Sequence, residues 1–236
     1  APMGELLFVC GNDQGARGYL THLKQLADVE AESGNKCRYL RLRSSDIKAP
    51  ELLERWSADA AATKVGEFHT EPGIFGWNKI DRGSELLAQS LPKLLGVGAD
   101  LGSGYGYLSR SIKAKSPDVH VHLIEADARA LACSKTNLEG FPATEFHWCD
   151  VVAEPKRLPQ RLDWVVTNPP FHTGNKTDPD LGRAFIEASV KMLKNYGRLY
   201  LVANKFLGYE ELLKENFSSV ERVADVDGFK VIHAKR

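Results

Sequence analysis

The stretch Asn168-Pro169-Pro170-Phe171-His172-Thr173-Gly174 carries the groups needed to hold a flat ring bearing an amino group. It follows an apolar run, Asp163-Trp164-Val165-Val166-Thr167, that reads as a buried parallel strand. Two consecutive prolines stop the strand, because neither donates a backbone hydrogen bond and both fix φ. The result is a stiff corner with a side-chain amide at Asn168, a free carbonyl at Pro169 and an aromatic ring at Phe171. An aromatic amine is a poor nucleophile because its lone pair is delocalised into the ring. Acceptance of its two N–H bonds by the Asn168 oxygen and the Pro169 carbonyl returns charge to nitrogen, and stacking on Phe171 contributes about 1–3 kcal/mol. No strong base is needed before attack, since the proton is lost once nitrogen is positive. A base inside a duplex cannot reach such a corner, so a flipped-out or single-stranded substrate is expected.

A second constellation supplies a partner for that amine. Asp100-Leu101-Gly102-Ser103-Gly104-Tyr105-Gly106 lies between a strand and a helix, where glycines let a ligand touch the backbone. Ligands of open α/β sheets sit beyond the carboxyl ends of the strands. Glu125 ends the next strand, placed to accept the hydroxyls of a ribose, and Asp150 ends the one after, placed to accept from an adenine amine. Tyr107 stands where the nicotinamide fingerprint wants its third glycine, so the loop favours an adenosyl ligand over a dinucleotide. A packing-driven turn is the competing account of the glycines alone.

These groups need a scaffold, and the hydrophobic pattern supplies one. Strands are expected at 97–101, 119–125, 145–149, 163–168 and 197–203, alternating with helices to about 114 and over 128–138, 180–194 and 209–216. Such alternation predicts an α/β fold with a doubly wound, mostly parallel seven-stranded sheet. Its end differs: 220–226 and 229–234 are joined by Asp227-Gly228, a type I′ hairpin sequence, so an antiparallel hairpin closes the sheet. Ahead of this, 4–10 and 37–42 read as strands, 16–27 as a helix and 46–64 as helical or linking, a partial α/β segment. Gly4-Glu-Leu-Leu-Phe-Val runs like Gly197-Arg-Leu-Tyr-Leu-Val, and Gly34…Leu42 like Gly228…Arg236, either by duplication or by common β-α-β statistics.

The 236 residues, 43% hydrophobic and 26% charged, are those of an ordinary globular protein. Thirty-one basic residues balance 31 acidic ones, so the total charge gives no support for nucleic-acid binding beyond a local patch. Lys113, Lys115, Lys176, Arg183 and Lys205 are phosphate contacts or solvated surface. Four scattered cysteines without a CxxC pair suggest neither zinc nor disulfides. His120 and His122 share a strand face without acidic or cysteine companions, so no metal site is expected. With no leader-like start and no long apolar run, the expected location is cytoplasmic and no membrane partner is expected.

Residues 66–236 resemble the class I S-adenosylmethionine-dependent methyltransferases, and among them the ribosomal RNA guanine-N2 enzymes of the small subunit methyltransferase C type. The matching motifs are Gly73-Ile74-Phe75, Lys79-Ile80-Asp81-Arg82-Gly83-Ser84, the Asp100–Gly106 loop, Asp150-Val151, Asn168–Gly174 and Val202–Leu207. The resemblance implies a Rossmann-like catalytic domain over 65–236. Residues 1–64 would then be the end of a degenerate, methyltransferase-like domain plus a linker. It implies S-adenosyl-L-methionine as cofactor, bordered by Asp100, Gly102, Ser103 and Gly104, with Glu125 and Ala126 at the ribose and Asp150 and Val151 at the adenine. Phe75 and Asp81, Gly83 and Ser84 would close over it, and Asn168 would face both cofactor and substrate. Asn168, Pro169 and Phe171 would be catalytic, with Pro170, His172, Asn204 and Phe206 at the target base. The implied partner is ribosomal RNA or a ribosomal subunit. The corner itself leaves open an adenine N6 amine in DNA or RNA, or a protein glutamine amide, and a non-catalytic RNA-binding remnant is the rival of another class.

Overall fold

The structure, a computed structural model, describes residues 3–61, 64–170, 172–173, 176–177 and 179–236. The chain divides into two compact units, Ala1–Ala62 and Thr63–Arg236.

The second unit is built on one sheet. Its strands are β6 (Val97–Leu101), β7 (His120–Glu125), β8 (Thr144–Trp148), β9 (Leu162–Thr167), β12 (Leu193–Asn204), β13 (Ser219–Val226) and β14 (Phe229–Lys235). Their spatial order is β13-β14-β12-β9-β6-β7-β8. The five from β12 to β8 are parallel, while β14 runs antiparallel to both β12 and β13. The expected doubly wound sheet with its closing hairpin is therefore present. Asp227 and Gly228 both have positive φ, 51° and 84°, as a type I′ turn requires.

Strands buried on both faces read as continuous apolar runs, and Val165 and Val166 on β9 are fully buried on opposite faces. One face packs Ala99, Val165, Leu199 and Leu201 under α6 (Pro179–Met192) and α7 (Glu210–Asn216), through Ile186, Met192 and Leu213. The other face packs Val121, Leu123, Val166 and Val202 under α3 (Arg82–Ser90) and α4 (Tyr107–Lys115), through Leu87, Leu108 and Ile112. Helix α5 (Ala128–Asn137) follows β7, and the short strand pairs β4 (Lys64–Val65) with β5 (Phe68–His69) and β10 (His172–Thr173) with β11 (Lys176–Thr177) complete the unit. Strand β12 begins at Leu193, inside the expected helix, where Tyr196 at φ 65° and a register shift between Leu193 and Arg198 turn the chain sharply into the sheet. Among the described residues, no helix is long and apolar enough to cross a membrane.

The first unit has three antiparallel strands, β1 (Glu5–Gly11), β2 (Glu30–Gly34) and β3 (Cys37–Arg43), in the order β1-β3-β2, with helices α1 (Ala16–Leu26) and α2 (Pro50–Ala61). Strand β2 was not expected, because Glu30-Ala-Glu-Ser-Gly34 is polar and exposed on every residue and carries no apolar alternation. With it, the strand–helix–strand–strand order of the unit repeats that of β12, α7, β13 and β14 in the second. Seven register pairs join β1 to β3, from Glu5↔Arg43 to Gly11↔Cys37, and seven join β12 to β14, from Arg198↔Lys235 to Asn204↔Phe229. The flanking bonds match too. Asn12 N donates to Lys36 O and Ser44 N to Gly4 O, just as Lys205 N donates to Gly228 O and Arg236 N to Gly197 O. The structural match corrects the glycine pairing expected from sequence: Gly34 faces Cys37 as Val226 faces Phe229, so Lys36 is the counterpart of Gly228.

Candidate functional site

The carboxyl ends of β6, β7, β8 and β9 converge on a cavity of about 400 Å³, the size of a small-ligand pocket. Its lining includes Gly102 and Gly104 from the loop, Glu125 and Ala126 after β7, Asp150 and Val151 after β8, Asn168, Pro169 and Pro170 after β9, and Phe75. A smaller adjoining cavity is lined by Phe75, Asp81, Ser84, Gly102, Ser103, Gly104 and Asn168. The fold thus brings together the loop, strand-end and corner residues singled out in the sequence, but not Gly83, Asp100, Asn204 or Phe206.

The loop is shaped by its glycines. Gly104 has φ 55°, and a Cβ built on it would meet nothing within 4 Å, so its backbone faces open cavity. Gly106 has φ 88° and caps α4, and a Cβ there would come within 2.6 Å of Leu138 Cδ1. Glu125 is already held, its Oε2 accepting from Gly104 N at 2.8 Å and its Oε1 from Asp127 N at 2.8 Å. At the next strand end, Asp150 Oδ1 accepts from Val152 N and Ala153 N, at 2.8 and 2.9 Å. A carboxylate oxygen has capacity for more than one bond, so both acids retain acceptor capacity.

Asp100 has a different place from the expected one. Its side chain is fully buried and lines neither cavity. Oδ2 accepts from Ser109 N at 3.0 Å and Ser109 Oγ at 2.7 Å, tying the first turn of α4 beneath the loop. Oδ1 has no partner among the described residues, and burial pushes the carboxyl up to about 7. Gly83 is likewise off the cavity, packed where a Cβ would meet the Phe229 ring at 3.1 Å.

Asn168 is oriented from behind. Its Nδ2 donates to Asp81 Oδ2 at 2.8 Å and to Ser84 Oγ at 2.9 Å. Asp81 is the N-cap of α3, and the same Oδ2 accepts from Ser84 N at 2.8 Å. Both amide hydrogens are thereby used within the protein, so the group that Asn168 can offer a ligand is its acceptor oxygen. Asp81 and Ser84, expected to close over the cofactor, also fix this amide.

The remaining candidates lie elsewhere. Asn204 Oδ1 accepts from Phe206 N at 3.1 Å, and Phe206 is 83% exposed with Lys205 Nζ 5.3 Å from its ring centroid; neither Asn204 nor Phe206 lines either of these two cavities. Phe171 lies outside the described residues, as does the His172 side chain. Two of the lysines read as phosphate contacts or solvated surface have their amines bound to backbone carbonyls. Lys113 Nζ is bound to the carbonyls of Val119 and Pro142, and Lys115 Nζ to that of Ala88 at 2.6 Å, where it closes the end of α3.

Sequence reasoning missed the apolar walls: Ile124, Cys149, Leu181 and Phe185 all line the large cavity. Ile124 and Cys149 immediately precede the two acids, and Leu181 and Phe185 are four apart on α6, a signal that reads equally as core. Burial pushes the Cys149 thiol up, so it serves as a neutral wall.

The His120–His122 pair also differs from expectation. Strand β8 places Glu145 and His147 beside it, with His120 Nε2 2.8 Å from Glu145 Oε1 and His122 Nδ1 3.0 Å from His147 Nε2. The sequence separation between the two strands hid these companions.

The strand order and the glycine-loop cavity define an S-adenosylmethionine-dependent methyltransferase of class I. The family model of the methyltransferase small domain matches residues 65–233, and the chain belongs to that family. It is 29% identical over 244 residues to the ribosomal RNA small subunit methyltransferase C of Acinetobacter baylyi, covering 99% of this chain and 71% of the relative. With its Salmonella heidelberg namesake it shares 34% over 236 residues, covering 98% of this chain and 67% of the relative. Among solved structures it is similar to a T. thermophilus 16S rRNA N2 methyltransferase in complex with AdoMet and guanosine. The TM-score is 0.74 at 26% identity, covering 99% of this chain and 65% of that one. The chain spans about two thirds of the length of these relatives.

The residues present suit S-adenosylmethionine. Gly104 leaves an open cradle, the apolar walls fit an adenine, and the buried Ser103 Oγ lacks a partner among the described residues. Glu125 would hold the ribose, Asp150 with Val151 the adenine, and the Gly102–Gly104 backbone the methionine end.

Proposed function

We propose that the chain methylates the exocyclic N2 amine of a guanine in ribosomal RNA. The observation that carries this reading is the Asn168 amide, whose hydrogens are spent on Asp81 and Ser84 beside the cofactor-sized cavity. The similarity to a solved 16S rRNA N2 methyltransferase in complex with guanosine, and to relatives named as ribosomal RNA methyltransferases, supports guanine over adenine or a glutamine amide.

Bound cofactor supplies an electrophilic sulfonium methyl. The chain's own task is to hold the amine. The Asn168 oxygen and the Pro169 carbonyl accept its two N–H bonds and keep its lone pair directed into the cavity. Phe171 stacks on the base, Pro170 and His172 flank it, and Phe75 covers the cavity mouth. The proton leaves after attack, when it is acidic enough to pass to water. Alignment of this kind is worth up to roughly 7–11 kcal/mol, so positioning is the main catalytic device. A flipped-out or unpaired guanine is the form such a corner takes, and the cytoplasm is where a ribosomal substrate is met.

Residues 1–62 we read as the closing strands of a degenerate copy of the same fold, supported by their register match to β12–β14. Lacking a glycine loop, this segment carries no cofactor site of its own.

The test is transfer of labelled methyl from S-adenosylmethionine to ribosomal RNA, ribosomal subunits, DNA and protein. Label in N2-methylguanine of ribosomal RNA is the expected result; label only in DNA or protein overturns the substrate assignment.

A further inference from the structure

Four side chains on the two strands at one end of the sheet form a cluster that the methyl-transfer site does not use. His120 and His122 are two apart on β7, and Glu145 and His147 are two apart on β8. Side chains two apart share a sheet face, and the parallel register sets His122 opposite Glu145. All four therefore project from one patch of one face.

Their donor atoms converge. His120 Nε2 lies 2.8 Å from Glu145 Oε1, His122 Nδ1 lies 3.5 Å from Glu145 Oε2 and 3.0 Å from His147 Nε2, and His147 Nε2 lies 3.9 Å from Glu145 Oε2. Ligands bound tetrahedrally at about 2.0 Å from an ion stand about 3.3 Å apart, and the observed separations bracket that spacing. The contact between His120 and Glu145 is close but lacks hydrogen-bonding geometry, and His120 Nε2 is buried with no hydrogen-bond partner among the described residues. The two histidine rings of β7 stack at 4.8 Å, which holds His120 and His122 side by side.

We propose that His120, His122 and Glu145, with His147 beside His122, bind a divalent transition ion of the zinc class. Imidazoles with a carboxylate, without a thiolate, match the ligand preference of such ions, whereas magnesium and calcium take all-oxygen sets. A bound ion ties β8, the last strand of the sheet on this side, to β7. His122 is three residues before Glu125 and His147 three before Asp150, so the tie fixes the spacing of the two strand ends that flank the adenosine half of the cavity. The role is structural, and the ion takes no part in methyl transfer.

The chain of 236 residues, stripped with a chelator, is titrated with Zn²⁺ alone by calorimetry and with Co²⁺ by visible absorption. The expected result is one ion per chain, with cobalt ligand-field bands, no thiolate charge-transfer band and a raised Tm. His122→Ala should weaken binding by more than the roughly 10- to 100-fold typical of losing an outer-shell partner. Glu145→Gln, at a half-exposed position that folding tolerates, should weaken it at least ~10-fold, with circular dichroism unchanged. Cys10→Ser should leave binding intact. Absence of binding, a thiolate band, or affinity unchanged in folded Glu145→Gln overturns the proposal.

Discussion

One oxygen of Asp81 sits 2.8 Å from the Asn168 amide nitrogen and 2.8 Å from Ser84 N. An ionised carboxylate only accepts, so this contact selects one of the two amide orientations of Asn168. The cap of α3 and the orientation of the Asn168 amide thus rest on the same atom.

Separating the two uses is the first test. Asn168→Ala should leave S-adenosylmethionine affinity nearly intact and lower turnover at least ~10²-fold, as expected for a transition-state contact. Asp81→Asn keeps a competent N-cap, so Tm should hardly move. The orientation of Asn168 is then no longer dictated, and turnover should fall about 10-fold, the equivalent of one ordinary hydrogen bond. Single-turnover methyl transfer read beside thermal melts decides it; wild-type turnover in Asp81→Asn confines Asp81 to capping.

Glu125 accepts from Gly104 N and Asp127 N and faces the cavity. Replacing it with glutamine removes a charged acceptor, a change worth about 1.5–3 kcal/mol per bond. Calorimetry should show cofactor binding weakened roughly 10- to 100-fold, with turnover at saturating cofactor little altered.

The glycines of the loop should divide by what lies beyond them. Gly104→Ala points a methyl into open cavity and should abolish measurable cofactor binding at a cost of about 1 kcal/mol in stability, the usual cost of a left-handed non-glycine residue. Gly106→Ala meets Leu138, so overpacking adds about 1–3 kcal/mol and Tm should fall clearly. Equal melting temperatures for the two variants would contradict this division.

Asp100 gives a pH signature. Its folded value is raised to about 7 from 3.8, so the folded chain binds the proton more tightly than the unfolded one. Its contribution to stability is therefore fully present below about 3.8 and is lost as pH rises through about 7. Asp100→Asn removes this dependence. Melting curves of both cofactor-free proteins should show wild type losing ground to Asp100→Asn between pH 5 and 8; parallel curves would mean the carboxyl is charged throughout.

The sheet was legible because β6, β7, β9 and β12 are apolar runs broken by glycine, proline and acid, and Asp227-Gly228 announces its own turn. Strand β2 was not, since Glu30–Gly34 is exposed on every residue and carries no apolar alternation, and its side-chain ties to β3, from Glu30 to Arg41 and Arg43, join residues remote in sequence. At the site, the polar residues were legible because strand-end acids and a proline corner stand out against apolar strands. What stayed hidden was relational. Nothing in the spacing of Asp81 and Asn168, or of His122 and Glu145, shows that packing brings them together. Asp100 was misplaced for the converse reason: a motif gives an acid's position in the chain but not whether its side chain turns toward ligand or core.

The two backbone bonds to Glu125 bear on the entropy of cofactor capture. This side chain is confined to one arrangement by Gly104 N and Asp127 N, both of the protein itself. The freedom that a flexible glutamate would surrender to a ribose, about 0.5–1.5 kcal/mol for an immobilised side chain, is surrendered during folding instead. On the proposed assignment the acid would act as a preset template, and sugar recognition would begin from a receptor that has no searching left to do.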